Sequence, residues 1–267
     1  MTLDIDFTII DTFFHISPKG VAAPVFEMAA PDFLHTEQAY AALVKGGEMV
    51  QATDTRLAAS FVGMSFFNLC VTKLIIAAQY NRLLELPLNK LTFQLELHGD
   101  HAHLGYKINE LRWTNLPVNG QARNQLLLQD LTAYFQAELN SAIESVADSA
   151  GVKSAMIWNQ FGGQIHLIRD YFQLYEKRQS VLDQFDLDFN LLMELSPDVF
   201  NRKKNPFIHK PRYIDNPWSP PDGQTILRSS CCMYDCRVDG QKCYNCPGML
   251  PEEREERRKE VLTANAG

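Results

Sequence analysis

Cysteine is the residue whose placement in this chain asks for chemistry. Five of the six cysteines, Cys231, Cys232, Cys236, Cys243 and Cys246, fall within sixteen positions of the stretch SSCCMYDCRVDGQKCYNCPGM, residues 229–249. Cys243 and Cys246 form a C-x-x-C, a pair whose sulfurs reach one metal ion. Cys231 and Cys232 are neighbours, and ten residues separate Cys232 from Cys243, enough for a loop that folds back and joins the two pairs. Three chemistries compete. Adjacent cysteines bridge one another only with strain, and a reducing compartment disfavours disulfides. Zinc wants four tetrahedral ligands, usually as two C-x(2–4)-C pairs; the C-x-x-C suits it and the adjacent C-C is a poor second pair. An iron–sulfur cluster also takes four thiolates, and two irons a few ångströms apart accept a wider range of bites than one zinc does. The spacing matches neither the bacterial nor the plant ferredoxin pattern, so spacing alone leaves zinc and iron–sulfur both open.

Other residues are weaker candidates. HGDHAH, residues 98–103, offers His98, Asp100, His101 and His103. The set belongs to one turn with no distant partner, and a polar hairpin tip explains it as well as a mononuclear metal site does. NRKKNPFIHKPRY, residues 201–213, interleaves Arg202, Lys203, Lys204, His209, Lys210 and Arg212 with Phe207 and Tyr213. It reads as a solvated linker, with an acidic ligand or an anionic membrane surface as the functional alternative. Cys70 lies in an apolar run and reads as core. There is no G-x-G-x-x-G after a strand and no G-x-x-x-x-G-K, and spacing supports no Ser/His/Asp triad.

These residues need a scaffold. The chain has 267 residues, 46% hydrophobic and 21% charged, an ordinary globular composition for one domain or a domain and a half. A formal net charge of -7 argues against nucleic acid as a partner. The N-terminal MTLDIDFTII has acidic residues where a secretory signal needs basic ones. The apolar run between Arg56 and Lys73 is shorter than the ~20 residues of a membrane span and reads as a buried helix. The expectation is a cytoplasmic protein with reduced thiols.

Along the chain, residues 1–35 read as loop with one strand. Helices are expected around TEQAYAALVKG, over 56–84, 122–148, 153–179 and 181–195. LTFQLEL (91–97) and LGYKINELRW (104–113) alternate as a β-hairpin. Gly162 and Gly163, inside the 153–179 helix, mark a kink or a close contact. The proline-rich stretch after Pro197 reads as an irregular connection, and PEEREERRKEV as a short exposed helix with acids first and bases later. The fold class is therefore α+β and mainly helical: long helices packed with a small antiparallel sheet, plus a C-terminal cysteine-bearing loop segment. The division is a body over 1–196 and a segment over 197–267, as two units or one continuous domain.

The run R-S-S-C-C-M-Y-D followed by C-Y-N-C-P closely resembles the C-terminal signature of the FhuF-like ferric-siderophore reductases, C-C-x10-C-x-x-C. AMIWNQ (155–160), NPF (205–207), chain length and C-terminal placement also fit. The resemblance implies a 2Fe–2S cluster on Cys231, Cys232, Cys243 and Cys246, with Cys236 a spectator. It implies one-electron reduction of siderophore-bound Fe3+, whose hard oxygen donors hold Fe2+ far more weakly, so that iron is released in the cytoplasm. Every ~59 mV in a one-electron couple is a factor of ten, and thiolate-ligated 2Fe–2S centres reach about -400 mV. Substrate would lie between the cysteine loop and the helical body, near Arg228, Arg237, Lys242 and Trp218, although ordinary solvated loop charge also explains the basic residues. Electrons would come from an external donor, a reduced ferredoxin-like protein, a flavin or a similar reductant. Peripheral contact with the inner membrane or a permease is compatible with this. The alternatives are a zinc-stabilised protein-interaction module and an iron–sulfur redox sensor.

Overall fold

The apolar run between Arg56 and Lys73 lies within α3, Thr55–Tyr80, the axis of the molecule. The Asp54 carboxylate caps its start by accepting the Arg56 N–H at 2.8 Å. Asn81, in the left-handed region at φ 52°, ends it. Because α3 is apolar on every side, it is stable only when covered on every side. It is long and apolar enough to cross a membrane by length and composition, and 78% of its most apolar window is buried by the rest of the chain. The computed structural model describes residues 5–99, 101–219 and 223–265.

Helices α2 (Thr36–Met49), α5 (Asn140–Ser149), α6 (Ala155–Tyr175) and α7 (Gln179–Glu194) pack around α3. Helix α4 (Gly120–Tyr134) is clipped to α7 by a buried bidentate pair, Arg123 with Asp188, whose second contact is 2.8 Å. On another side lies a four-stranded sheet. Helix α1 (Thr8–Phe14) leads into β1 (Ile16–Ser17), then come β2 (Phe26–Ala29), β4 (Leu91–His98) and β5 (His101–Ile108). Their spatial order is β1-β5-β4-β2, with β1 parallel to β5 and the other pairs antiparallel. Phe93, Leu95, Leu104 and Tyr106 are buried on the core side of this sheet. There Phe33 bridges Phe66 and Phe93 at 5.1 and 5.0 Å, and the Tyr106 hydroxyl meets Ser65 Oγ at 2.8 Å. Period two puts Glu96, His98, His101 and His103 on the other side.

The mainly helical α+β reading holds, and several boundaries move. The 56–84 helix stops at Tyr80, because Asn81 turns the chain and Arg82–Leu84 becomes β3, paired with β6 (Trp113–Asn115). The run 104–113 is accordingly two strands, β5 and β6, rather than one. The 122–148 helix contains a π-helical turn, Phe135–Leu139, between α4 and α5. The opening 35 residues hold α1 as well as two strands. After α7, β7 (Arg212–Asp215) and β8 (Gln224–Leu227) form a hairpin, and the cysteine stretch leads from it to α8 (Pro251–Asn265).

Candidate cysteine centre and cleft

The cysteine stretch is anchored at both ends. At its start, Ser229 Oγ donates to the Asn159 carbonyl at 2.7 Å and accepts the Gly163 N–H at 2.8 Å, tying the segment to α6. A Cβ on Gly163 would lie 2.7 Å from Ser229 Oγ and 2.8 Å from its backbone nitrogen, so a side chain is excluded there. Gly162 faces the Pro206 carbonyl in the same way, at 2.7 Å. The double glycine is thus a docking point for two chain segments. In the middle, Thr53 donates its N–H and hydroxyl to the Cys236 carbonyl at 2.8 and 2.9 Å. Ala52 bridges to Arg237, whose guanidinium also reaches Gln51 Oε1 at 2.7 Å. At the far end, α8 closes the C-x-x-C turn. Arg254 donates to the carbonyls of Tyr244 and Cys246 at 3.1 and 2.8 Å, and Arg257 to that of Lys242 at 2.5 Å. The expected exposed helix is therefore a clamp on the loop, because its arginines satisfy carbonyls that no regular element pairs.

The loop brings the four motif sulfurs together in twos. Cys232 Sγ lies 3.5 Å from Cys243 Sγ, and Cys231 Sγ lies 3.9 Å from Cys246 Sγ. Two sulfurs bound to one tetrahedral ion at about 2.3 Å are about 3.8 Å apart, so each pair has the bite of one metal. Two such pairs fit a two-iron cluster, in which each iron takes two thiolates. Cys236 pairs with none of the four; it is held through its carbonyl.

Local polar groups are matched to sulfur. Met233, left-handed at φ 58°, turns its N–H to Cys231 Sγ at 3.3 Å. The Tyr234 N–H acts on Cys232. The Cys243 thiol donating to Cys232, with Arg228 nearby, pulls the Cys232 thiol down to about 6. Cys243 is pushed up by the same contact, and burial pushes Cys231 up to about 11.

Cys232 opens onto a cleft of about 560 Å³ between this loop and the body, a size suited to a small-molecule ligand. Arg228, Tyr234 and Arg237 line it from the loop, Met49, Phe61 and Met64 from the helices, and His15, His101 and His103 from the sheet end. Arg228 is steadied by Asn245 Oδ1 at 3.3 Å, and Arg237 lies over the Tyr234 ring and donates to its hydroxyl. Two other expected substrate residues point elsewhere. Lys242 faces Glu253 of α8 at 3.5 Å, and Trp218 stacks edge-on against Tyr244 at 5.5 Å.

The basic stretch 201–213 forms a second cleft of about 500 Å³, with Arg202, Lys203, Lys204 and His209 on its wall. Phe207 is fully buried, packed between Phe135 and Phe161, so it does not interleave with the bases, while Tyr213 in β7 stays exposed beside Arg212. Of the hairpin set, Asp100 lies outside the described residues. His103 gains partners that one turn does not supply. His15 and Glu96 each bring a donor atom into a group with His103 that spans no more than 4.8 Å. Burial holds both imidazoles below the usual histidine value. The hairpin register would have exposed Glu96, since it stands directly across from His103; nothing in the sequence points to His15.

No protein-family model, curated protein or solved structure matches the chain.

Proposed function

We propose that this chain reduces siderophore-bound ferric iron, as the likeness of its cysteine motif to FhuF-like reductases implies. The observation that carries the reading is the meeting of four motif cysteines, as two sulfur pairs, beside a cleft lined by two arginines. When bound by these sulfurs, a 2Fe–2S cluster supplies the single electron that turns chelated Fe3+ into Fe2+, and an external reductant replaces it.

The chain's own residues do the rest. Cys231, Cys232, Cys243 and Cys246 hold the group, and the Met233 and Tyr234 N–H groups offset charge on the first two sulfurs. Arg228, beside Cys232, offsets more of it and faces the cleft. With Arg237, fixed by Gln51 and Tyr234, it offers planar cations to an anionic chelate. Met49, Phe61 and Met64 give the chelate an apolar wall and keep water off one side. Hard oxygen donors favour Fe3+ over Fe2+, so reduction loosens the ion. The donor is a reduced ferredoxin-like protein, a flavin or a similar carrier, and the reaction belongs to a reducing compartment, the cytoplasm, where thiols persist.

The test is anaerobic purification, analysis of iron, zinc and acid-labile sulfide, and turnover of a ferric hydroxamate siderophore with a ferrous trap and a reduced ferredoxin. About two irons and two sulfides per chain, with turnover, are expected. A colourless chain with one tightly held zinc, and no sulfide after reconstitution, rejects the reading. A cluster without turnover converts it to a redox sensor.

A further inference from the structure

The cleft that Cys232 opens onto carries a second donor set at its sheet end. Strand register puts Glu96 directly across from His103. His15 arrives from the end of α1, in the left-handed region at φ 53°. Its carbonyl accepts the Tyr106 N–H at 2.9 Å, and a Cβ at Gly105 would lie 1.9 Å from that oxygen, so the glycine is what lets His15 come in. That left-handed turn is the C-cap of α1, and its N–H returns to the Asp11 carbonyl.

The result is two imidazoles and a carboxylate in one place. His15 Nδ1 is 3.5 Å from Glu96 Oε1. His98 Nε2 occupies the other carboxylate oxygen at 3.0 Å, leaving Oε1 turned to His15. The His15 and His103 rings stack at 4.4 Å. His103 Nδ1 is buried and has no hydrogen-bond partner among the described residues, so that nitrogen is free to take a ligand.

We propose that His15, Glu96 and His103 form a mononuclear site for a divalent first-row transition metal, and that its occupant is the Fe2+ liberated in the adjoining cleft; this second half rests on the reductase reading. Two histidines and one carboxylate with open positions are the ligand set that suits Fe2+. Calcium and magnesium prefer oxygen donors alone. Zinc and copper bind such a set more tightly than Fe2+ does, so supply from the cleft, not affinity, decides the occupant. The site takes the ferrous ion after the oxygen donors let it go, which draws an uphill reduction forward.

The test titrates the full chain anaerobically with 57Fe2+ and reads the bound ion by Mössbauer spectroscopy. One high-spin Fe2+ per chain with nitrogen and oxygen ligands is expected beyond any sulfur-bound iron. Glu96→Gln and His103→Asn weaken it by at least ~10-fold, while Cys246→Ser leaves it unchanged. X-ray absorption of the bound ion in the wild-type chain, showing histidine nitrogen and no sulfur, tests the ligands without any substitution. Absence of this ion, or uptake indifferent to both substitutions, overturns the site. A chain without sulfide that still takes up Fe2+ on histidine supports the site and removes the reductase reading. A chain with cluster and turnover that takes up none overturns the site alone.

Discussion

Cys232 is the motif cysteine on the cleft wall, and its neighbours define what each substitution does. If the four motif sulfurs hold a 2Fe–2S cluster as proposed, Cys→Ser at 231, 232, 243 or 246 costs the chain iron and sulfide, while Cys236→Ser keeps both; metal and sulfide analysis of the five variants checks this. Each close pair shares one bite, so Cys232→Ser and Cys243→Ser, 3.5 Å apart as thiols, should give matching absorption and EPR changes. Cys231→Ser and Cys246→Ser should match each other and differ from the first pair. Arg228→Gln removes the cation nearest Cys232 that also faces the cleft. We expect KM for an anionic ferric chelate to rise about tenfold, the equivalent of ~1.4 kcal/mol, and KM for a neutral chelate to stay put; a uniform rise for both denies Arg228 a role in charge recognition. The meeting of the four candidate cysteines was readable from sequence because their spacing is local. The direction of neighbouring side chains was not. Lys242 adjoins Cys243 in sequence, nearer a ligand than Arg228 or Arg237, yet α8 draws Lys242 away and Tyr244 holds Trp218. His15 was out of reach because its contact with Glu96 depends on a parallel strand pairing 90 residues apart, Ile16 with Tyr106.

The helices were legible because α3 and its neighbours bury regular apolar patterns, and the same rule shows why boundaries slipped. Leu83 and Leu84 continue an apolar run, but the pattern cannot say that Asn81 turns left-handed and hands them to a strand. The role of α8 was hidden for a related reason. Its residues are charged on all sides, the mark of an exposed helix, while Arg254 and Arg257 spend their charge on loop carbonyls. Gly163 gives the sharpest test at this scale. The atom closest to its absent side chain after Ser229 Oγ is a backbone nitrogen at 2.8 Å, which has little room to give. Gly163→Ala is expected to lose ~1–3 kcal/mol by overpacking, and to lower iron and sulfide content with helix content unchanged by circular dichroism. Gly120 is the control, since nothing lies within 4 Å of a Cβ there. At that helix start, Gly120→Ala should be neutral or stabilising by ~0.4–1 kcal/mol. Equal damage from both substitutions would deny Gly163 its docking role.

The whole molecule holds the site by joining helices that come from distant parts of the chain, and two polar ties do much of that joining. Arg123 and Asp188 are buried between α4 and α7, with Asn81 Oδ1 and the Ala77 carbonyl completing the guanidinium shell. Asp188→Asn leaves a buried cation without its anion, a change expected to cost ~3–5 kcal/mol and to lower Tm by roughly 10 °C for a chain of this size; calorimetry reads it. The second tie is pH-dependent. Glu176, at the end of α6, accepts from the Arg178 backbone, Nε and Nη2 at 2.9, 2.9 and 2.7 Å, and from Gln79 of α3 at 3.1 Å. The Arg178 contacts are the main cause that holds its carboxyl down to about 2, against burial, which pushes it up. Unfolding frees that carboxyl to titrate at its ordinary 4.5. The folded chain therefore binds the proton less readily, and Glu176 stabilises it in full above pH 4.5 and progressively less as pH falls toward 2. Urea unfolding of the wild type and Glu176→Gln at pH 7 and at pH 2.5 separates this tie from the rest: the gap in midpoint should be clear at neutral pH and largely closed in acid. A gap of the same size at both pH values means that shape, not charge, carries the Glu176 contact between α3 and the α6–α7 turn.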